Sequence, residues 1–303
     1  MRVVTITASV LTSVAQLIAA ASNNSIKVDQ GIGDIEVCSA LEDSQKEEKG
    51  VLEDGVWETV YQKEQVSHYK VKYKGKNISV IADWHTKPGR ELFATYLEEI
   101  KKSPGDWILL VEGLDYREEV TSEIKEKLAV AKDLPGAGGA FGLLMSTKKV
   151  SPEDMAIAYG IGMLERIGTG IGVREEDAKN PLEIVCIRVQ EGLEEDGVKI
   201  SKEEVRELIL RASETDEKLQ EAVDNANKIF LGMAVVESDK MMRDVIREAL
   251  KNDASNVLIH IGEGHLRALV NSGELRKYTE SLMDRVKFNL KNVRKALEMS
   301  KKN

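Results

Sequence analysis

Three apolar runs in this chain each lead into a residue equipped for acid–base or metal chemistry. Residues 78–81 (Ile-Ser-Val-Ile) run into Ala82-Asp83-Trp84-His85, residues 107–111 into Glu112-Gly113, and residues 257–261 into Gly262-Glu263-Gly264-His265. Imidazole titrates near neutral pH and serves as a general base or a metal ligand. A carboxylate ending an apolar strand is costly unless it is paired or bound to a cation. Gly262 and Gly264 let the backbone turn sharply beside a ligand, and a helix opening at His265 would keep its ring neutral through the dipole. Arg243 borders the apolar stripe of a late helix, where a guanidinium can hold a carboxylate or steady an oxyanion. Glu263 and Glu165 are reserve carboxylates, whereas His68 and His260 read as structural.

These residues need elements that bring them together across 180 positions. Short apolar runs between turn and helix signals read as buried parallel strands, and ligands of open α/β sheets sit beyond the strands' carboxyl ends. Residues 69–73 alternate, residues 74–77 turn, and the run from Ile78 completes a hairpin. A helix opening at Pro88-Gly89 then leads to the Trp107 strand, a βαβ unit. Further on, residues 115–132 read as a charged helix and 135–142 as a glycine-rich loop. Residues 171–173 and 184–189 read as weak strands. Ser151-Pro152 and the box Ser201-Lys202-Glu203-Glu204 start helices. Residues 218–230 and 234–250 are helical, and one last helix places Leu282, Val286, Leu290, Val293 and Leu297 on one face. The expected fold is α/β, a largely parallel central sheet flanked by helices, with a mostly helical middle insertion.

Bulk properties narrow the partners. The 303 residues are 42% hydrophobic and 31% charged, enough for a sizeable core. A net charge of -9 and 5% aromatic residues argue against nucleic acid as a partner. Cys38 and Cys186 form no CxxC pair and read as two separate thiols, a single disulfide being the other option. Residues 1–21 carry an uncharged stretch after Arg2 and read either as a secretory signal or as an apolar segment of the fold, so export and a cytoplasmic location stay equally open. Residues 22–55 read as a polar, acidic surface segment, and residues 56–303 as the α/β domain. No later stretch is long and apolar enough to cross a bilayer. The dipeptide-spaced glycines at 160, 162, 168 and 170 follow no strand and do not read as a dinucleotide loop.

The order of these motifs resembles the superfamily of TraB, the TIKI proteases, erythromycin esterase and the ChaN haem-binding proteins, with TraB and TIKI nearest. Residues 78–113 and 242–266 carry the likeness, about a fifth of the chain in all, and Ala82 stands where the family has the first glycine of its GxxH motif. The resemblance implies an erythromycin esterase/ChaN-like fold and a metal-assisted hydrolase of peptide or small ester substrates. His85, Glu112 and His265 would hold a divalent ion and Arg243 would steady negative charge. A metal-free variant, with a histidine activating water, and a non-catalytic haem- or metal-binding module of the ChaN type are the alternatives. Contact with a membrane surface through the basic carboxyl-terminal helix is a third reading, against which an amphipathic helix packed on the domain is the simpler one.

Overall fold

The computed structural model describes residues 49–63, 65–84, 87–103, 105–112, 128–134, 136–170 and 175–301. All belong to one compact unit, Ser44–Asn303. Residues 1–21, Cys38, His85, Asp115 and residues 171–173 lie outside the described residues.

A six-stranded sheet forms the centre. Its strands are β1 (Val56–Lys63), β2 (Val66–Tyr73), β3 (Lys76–Asp83), β4 (Trp107–Glu112), β5 (Leu128–Leu134) and β6 (Asn256–Gly262), in the spatial order β1-β2-β3-β6-β4-β5. The expected hairpin is present as β2 and β3, turning through Lys74 and Gly75 at positive φ. The sheet is mixed: β1, β2 and β3 pair antiparallel, while β3, β6, β4 and β5 pair parallel. An expectation of a largely parallel sheet therefore holds only for the half that carries the candidate residues. β4 and β6 are buried on both faces along almost their whole length, as central parallel strands must be.

The last strand, β6, inserts between β3 and β4. Asp83 stands opposite Gly262, and Val111 opposite His260, so the carboxyl ends of three strands distant in sequence form one rim. Helix α1 (Lys87–Lys102) crosses from β3 to β4 and buries Phe93, Leu97 and Ile100 on Ile81, Leu109, Val111 and Leu258. On the other face Ile78, Val80, Ile108, Leu110, Val257 and Ile259 pack with Met242 and Ile246 of a late helix. Burial contributes about 1.5–3 kcal/mol per large apolar side chain in these two layers.

Between β5 and β6 the chain is helical. The elements are α2 (Ala137–Ser146), α3 (Pro152–Thr169), α4 (Glu175–Lys179), α5 (Pro181–Glu195), α6 (Lys202–Ala212) and α7 (Asp216–Asn227); a π-helical turn over Lys228–Ala234 then leads into α8 (Val235–Ala249). Both predicted caps are present: Ser151 accepts from the Asp154 amide, and Ser201 and Glu204 form a complete capping box. After β6 come a 3-10 turn (Glu263–Ala268), α9 (Gly273–Arg285) and α10 (Leu290–Ser300). Among the described residues no helix is long and apolar enough to cross a membrane.

Several local expectations are corrected. Residues 184–189 belong to α5, because Leu182, Val185, Cys186, Val189 and Leu193 recur at helical spacing behind Pro181 and outweigh the β-branched residues. Residues 128–132 are strand, not helix: the backbone groups on the outer side of β4 take β5 as their partner. The glycine-rich stretch from Ala137 is helix, held by Ala140, Phe141 and Leu144 in the core. Leu282 and Leu297 stand on two separate helices, α9 and α10, and Val286 between them is 38% exposed. The segment expected to be polar surface up to residue 55 buries Val51 and Leu52, whose amides donate to the carbonyls of Ala268 and Leu269. Gly160, Gly162 and Gly168 sit inside α3 where a Cβ would run into Ile209, Phe288 and the Asn292 carbonyl, which is close packing rather than phosphate binding. The basic helix α10 is laid on α3, with Val293 and Ala296 buried and Lys295 bonded to the Gly168 carbonyl.

Candidate functional site

Of the four candidate residues, Glu112 and His265 meet at the rim. Glu112 ends β4 and is 6% exposed; its Oε2 accepts the Gly262 amide at 2.5 Å, and its Oε1 lies 3.4 Å from His265 Nε2. The other ring nitrogen, Nδ1, donates to Asp239 Oδ1 at 2.7 Å, and Arg267 Nε donates to Asp239 Oδ2. A carboxylate–imidazole–carboxylate chain, closed by an arginine, therefore spans β4, the 3-10 turn and α8. Arg243 is buried on the same face of α8 as Asp239, one turn further on. His85 lies outside the described residues.

The charge state differs from the expected one. Burial disfavours the imidazolium of His265, but attraction to Glu112 and the hydrogen bond to Asp239 outweigh it and raise the pKa to about 10. The dipole argument fails for a local reason: His265 is the third residue of a six-residue 3-10 turn and not the start of an α-helix, so there is little dipole to oppose two carboxylates.

The reserve carboxylates separate. Glu165 accepts from Asn292 and ties α3 to α10. Glu263 belongs to the rim: it is 1% exposed, its Oε1 accepts from Ser67 Oγ (2.7 Å) and Tyr278 OH (3.0 Å), and its Oε2 accepts from Trp84 Nε1 (2.7 Å). Burial pushes its carboxyl up against the pull of those three donors. His260 is structural as expected, stacked on Phe93 with centroids 4.6 Å apart and bonded to Asp83 at 3.1 Å. His68 pairs with Tyr96, and burial together with Lys70 lowers it to about 4. Cys186 is a free, buried thiol that burial pushes up to about 11.

Sequence reasoning missed Asp239 and Arg267. The signal for Asp239 was available, since it occupies the apolar stripe of α8 between Val235 and Met242. An acid on a buried stripe needs a cationic partner.

Among the described residues no group of three His, Cys, Asp or Glu side chains is arranged to hold a metal. Two donors do suit one. Tetrahedral ligands at about 2.1 Å from a zinc-sized ion stand about 3.4 Å apart, which is the His265–Glu112 separation. The carboxylate behind Nδ1 is the usual outer partner of a metal-binding histidine. The comparisons are silent: no family model matches the chain, and no curated protein or solved structure matches it.

Proposed function

We propose that the protein is a metal-assisted hydrolase of peptide or small ester bonds, related in site and in erythromycin esterase/ChaN-like arrangement to TraB and the TIKI proteases. The observation that carries the reading is the buried pair of Glu112 Oε1 and His265 Nε2, backed by Asp239 at one end and the Gly262 amide at the other. Asp239 accepts the hydrogen bond of Nδ1–H and so aims Nε2 at Glu112. The Gly262 amide holds Oε2, and Oε1 faces His265 Nε2. Glu112 and His265, with His85 as third, would hold a divalent ion, which supplies polarisation of a carbonyl and a lowered pKa for its water. Arg243 would steady the charge that develops on the carbonyl oxygen.

His265, with a pKa of about 10, must shed a proton either to act as a base or to become a ligand, so its charge weighs equally on the metal and metal-free variants. One observation weighs against the haem-binding alternative. Haem capture needs an exposed apolar slot, and His265 is 8% exposed between two carboxylates.

The test is turnover of nitrophenyl esters and fluorogenic peptides with and without added zinc, manganese or cobalt. Metal-dependent turnover that Glu112→Gln lowers by more than about 100-fold, the upper end for an outer-shell partner, is expected. Equal turnover in the variant, or none across the panel in the wild type, contradicts the reading.

A further inference from the structure

We infer that Glu263 is a positioning residue that locks the segment leading to His85 onto the turn that carries His265. Its side chain joins three elements. Ser67 belongs to β2, Trp84 follows β3, and Tyr278 stands on α9. Trp84 is tied a second time through its amide, which donates to the Gln65 carbonyl at 3.2 Å.

The neighbouring residues give the lock its consequence. The Gly262 amide holds Glu112, Glu263 holds Trp84, and His265 follows two positions later. One turn thus fixes the acid, the second histidine and the residue before the first histidine. Glu263 is 1% exposed, and its bonds to Ser67, Tyr278 and Trp84 engage both oxygens, so the carboxylate is structural to the rim and not a ligand in its own right. Both oxygens are needed. A leucine offers no acceptor to Ser67, Tyr278 or Trp84, whereas a glutamine could still donate to the two hydroxyls and accept from the indole.

The kinetic arm of the test rests on the hydrolase reading; the exchange arm does not. Glu263→Leu is made in the wild type and in Trp84→Phe, which keeps an aromatic ring and removes the indole donor. Glu263→Leu should lower kcat at least about tenfold with KM little changed, the rate equivalent of one charge-assisted hydrogen bond. In the Trp84→Phe background it should cost clearly less, because the bond to Trp84 is already gone. Amide exchange over residues 81–84 should rise in each single variant and no further in the double variant. Equal, additive losses in both backgrounds, or exchange unchanged from wild type, overturns the lock. If the wild type hydrolyses nothing, the hydrolase reading falls and exchange alone decides the role of Glu263.

Discussion

Replacing His265 with glutamine removes a cation that Glu112 and Asp239 share, and the pH dependence of stability reads out its contribution. The unfolded histidine titrates at 6.5 and the folded one at about 10. Below pH 6.5 both states hold the proton, and the stabilisation is fully present. Between 6.5 and 10 only the folded chain holds it, so the unfolding free energy falls by about 1.4 kcal/mol per pH unit. Above 10 the contribution is gone; over the whole window it amounts to on the order of 5 kcal/mol. Guanidinium unfolding followed by circular dichroism at pH 7, 8 and 9 should show the wild type losing about 3 kcal/mol across that range relative to His265→Gln. Cys186 pulls in the same direction only near and above pH 9, and equally in both proteins. Parallel curves for wild type and variant would refute the charged state of His265.

Other perturbations bear on the rim and its supports. Asp239→Asn removes the charge and leaves one acceptor oxygen for two donors, His265 Nδ1 and Arg267 Nε, and should cost about 3 kcal/mol, a thermal midpoint roughly 6–12 °C lower by calorimetry. A Cβ at Gly89 would lie 1.5 Å from Asp83 Oδ2, so Gly89→Ala should displace the start of α1 and destabilise the protein by about 2 kcal/mol or more in denaturant titration. Gly168→Ala would put a Cβ 1.9 Å from the Asn292 carbonyl and should loosen α10, seen as faster amide exchange over residues 290–300 with the sheet unchanged.

The sequence made the rim legible because its strands are short apolar runs, each ending in a polar residue. Residues 78–83, 107–112 and 256–262 are strands, and β6 brings the last of them between the other two. Glu112 and His265 were identifiable by type and position, and the caps at Ser151 and Ser201 by local hydrogen bonding alone. What escaped depends on tertiary partners. Nothing in the charged stretch around Lys132 announces an edge strand until β4 offers its free backbone groups. Asp239 stands out on the apolar stripe of α8 but nothing near it names His265 as its partner, and the charge of that ring follows from two carboxylates brought from 153 and 26 residues away. The lock at Glu263 needed Ser67, Trp84 and Tyr278 at once, three residues with no common spacing.

Calorimetric titration with zinc at pH 7, in two buffers of different ionisation enthalpy, bears most directly on a metal site built on Glu112 and His265. The wild type should bind one ion and release about one proton, the one His265 Nε2 must give up to become a ligand. Glu112→Gln should weaken that binding by at least about tenfold. Zinc bound equally by both proteins, or bound by neither, would contradict the assignment.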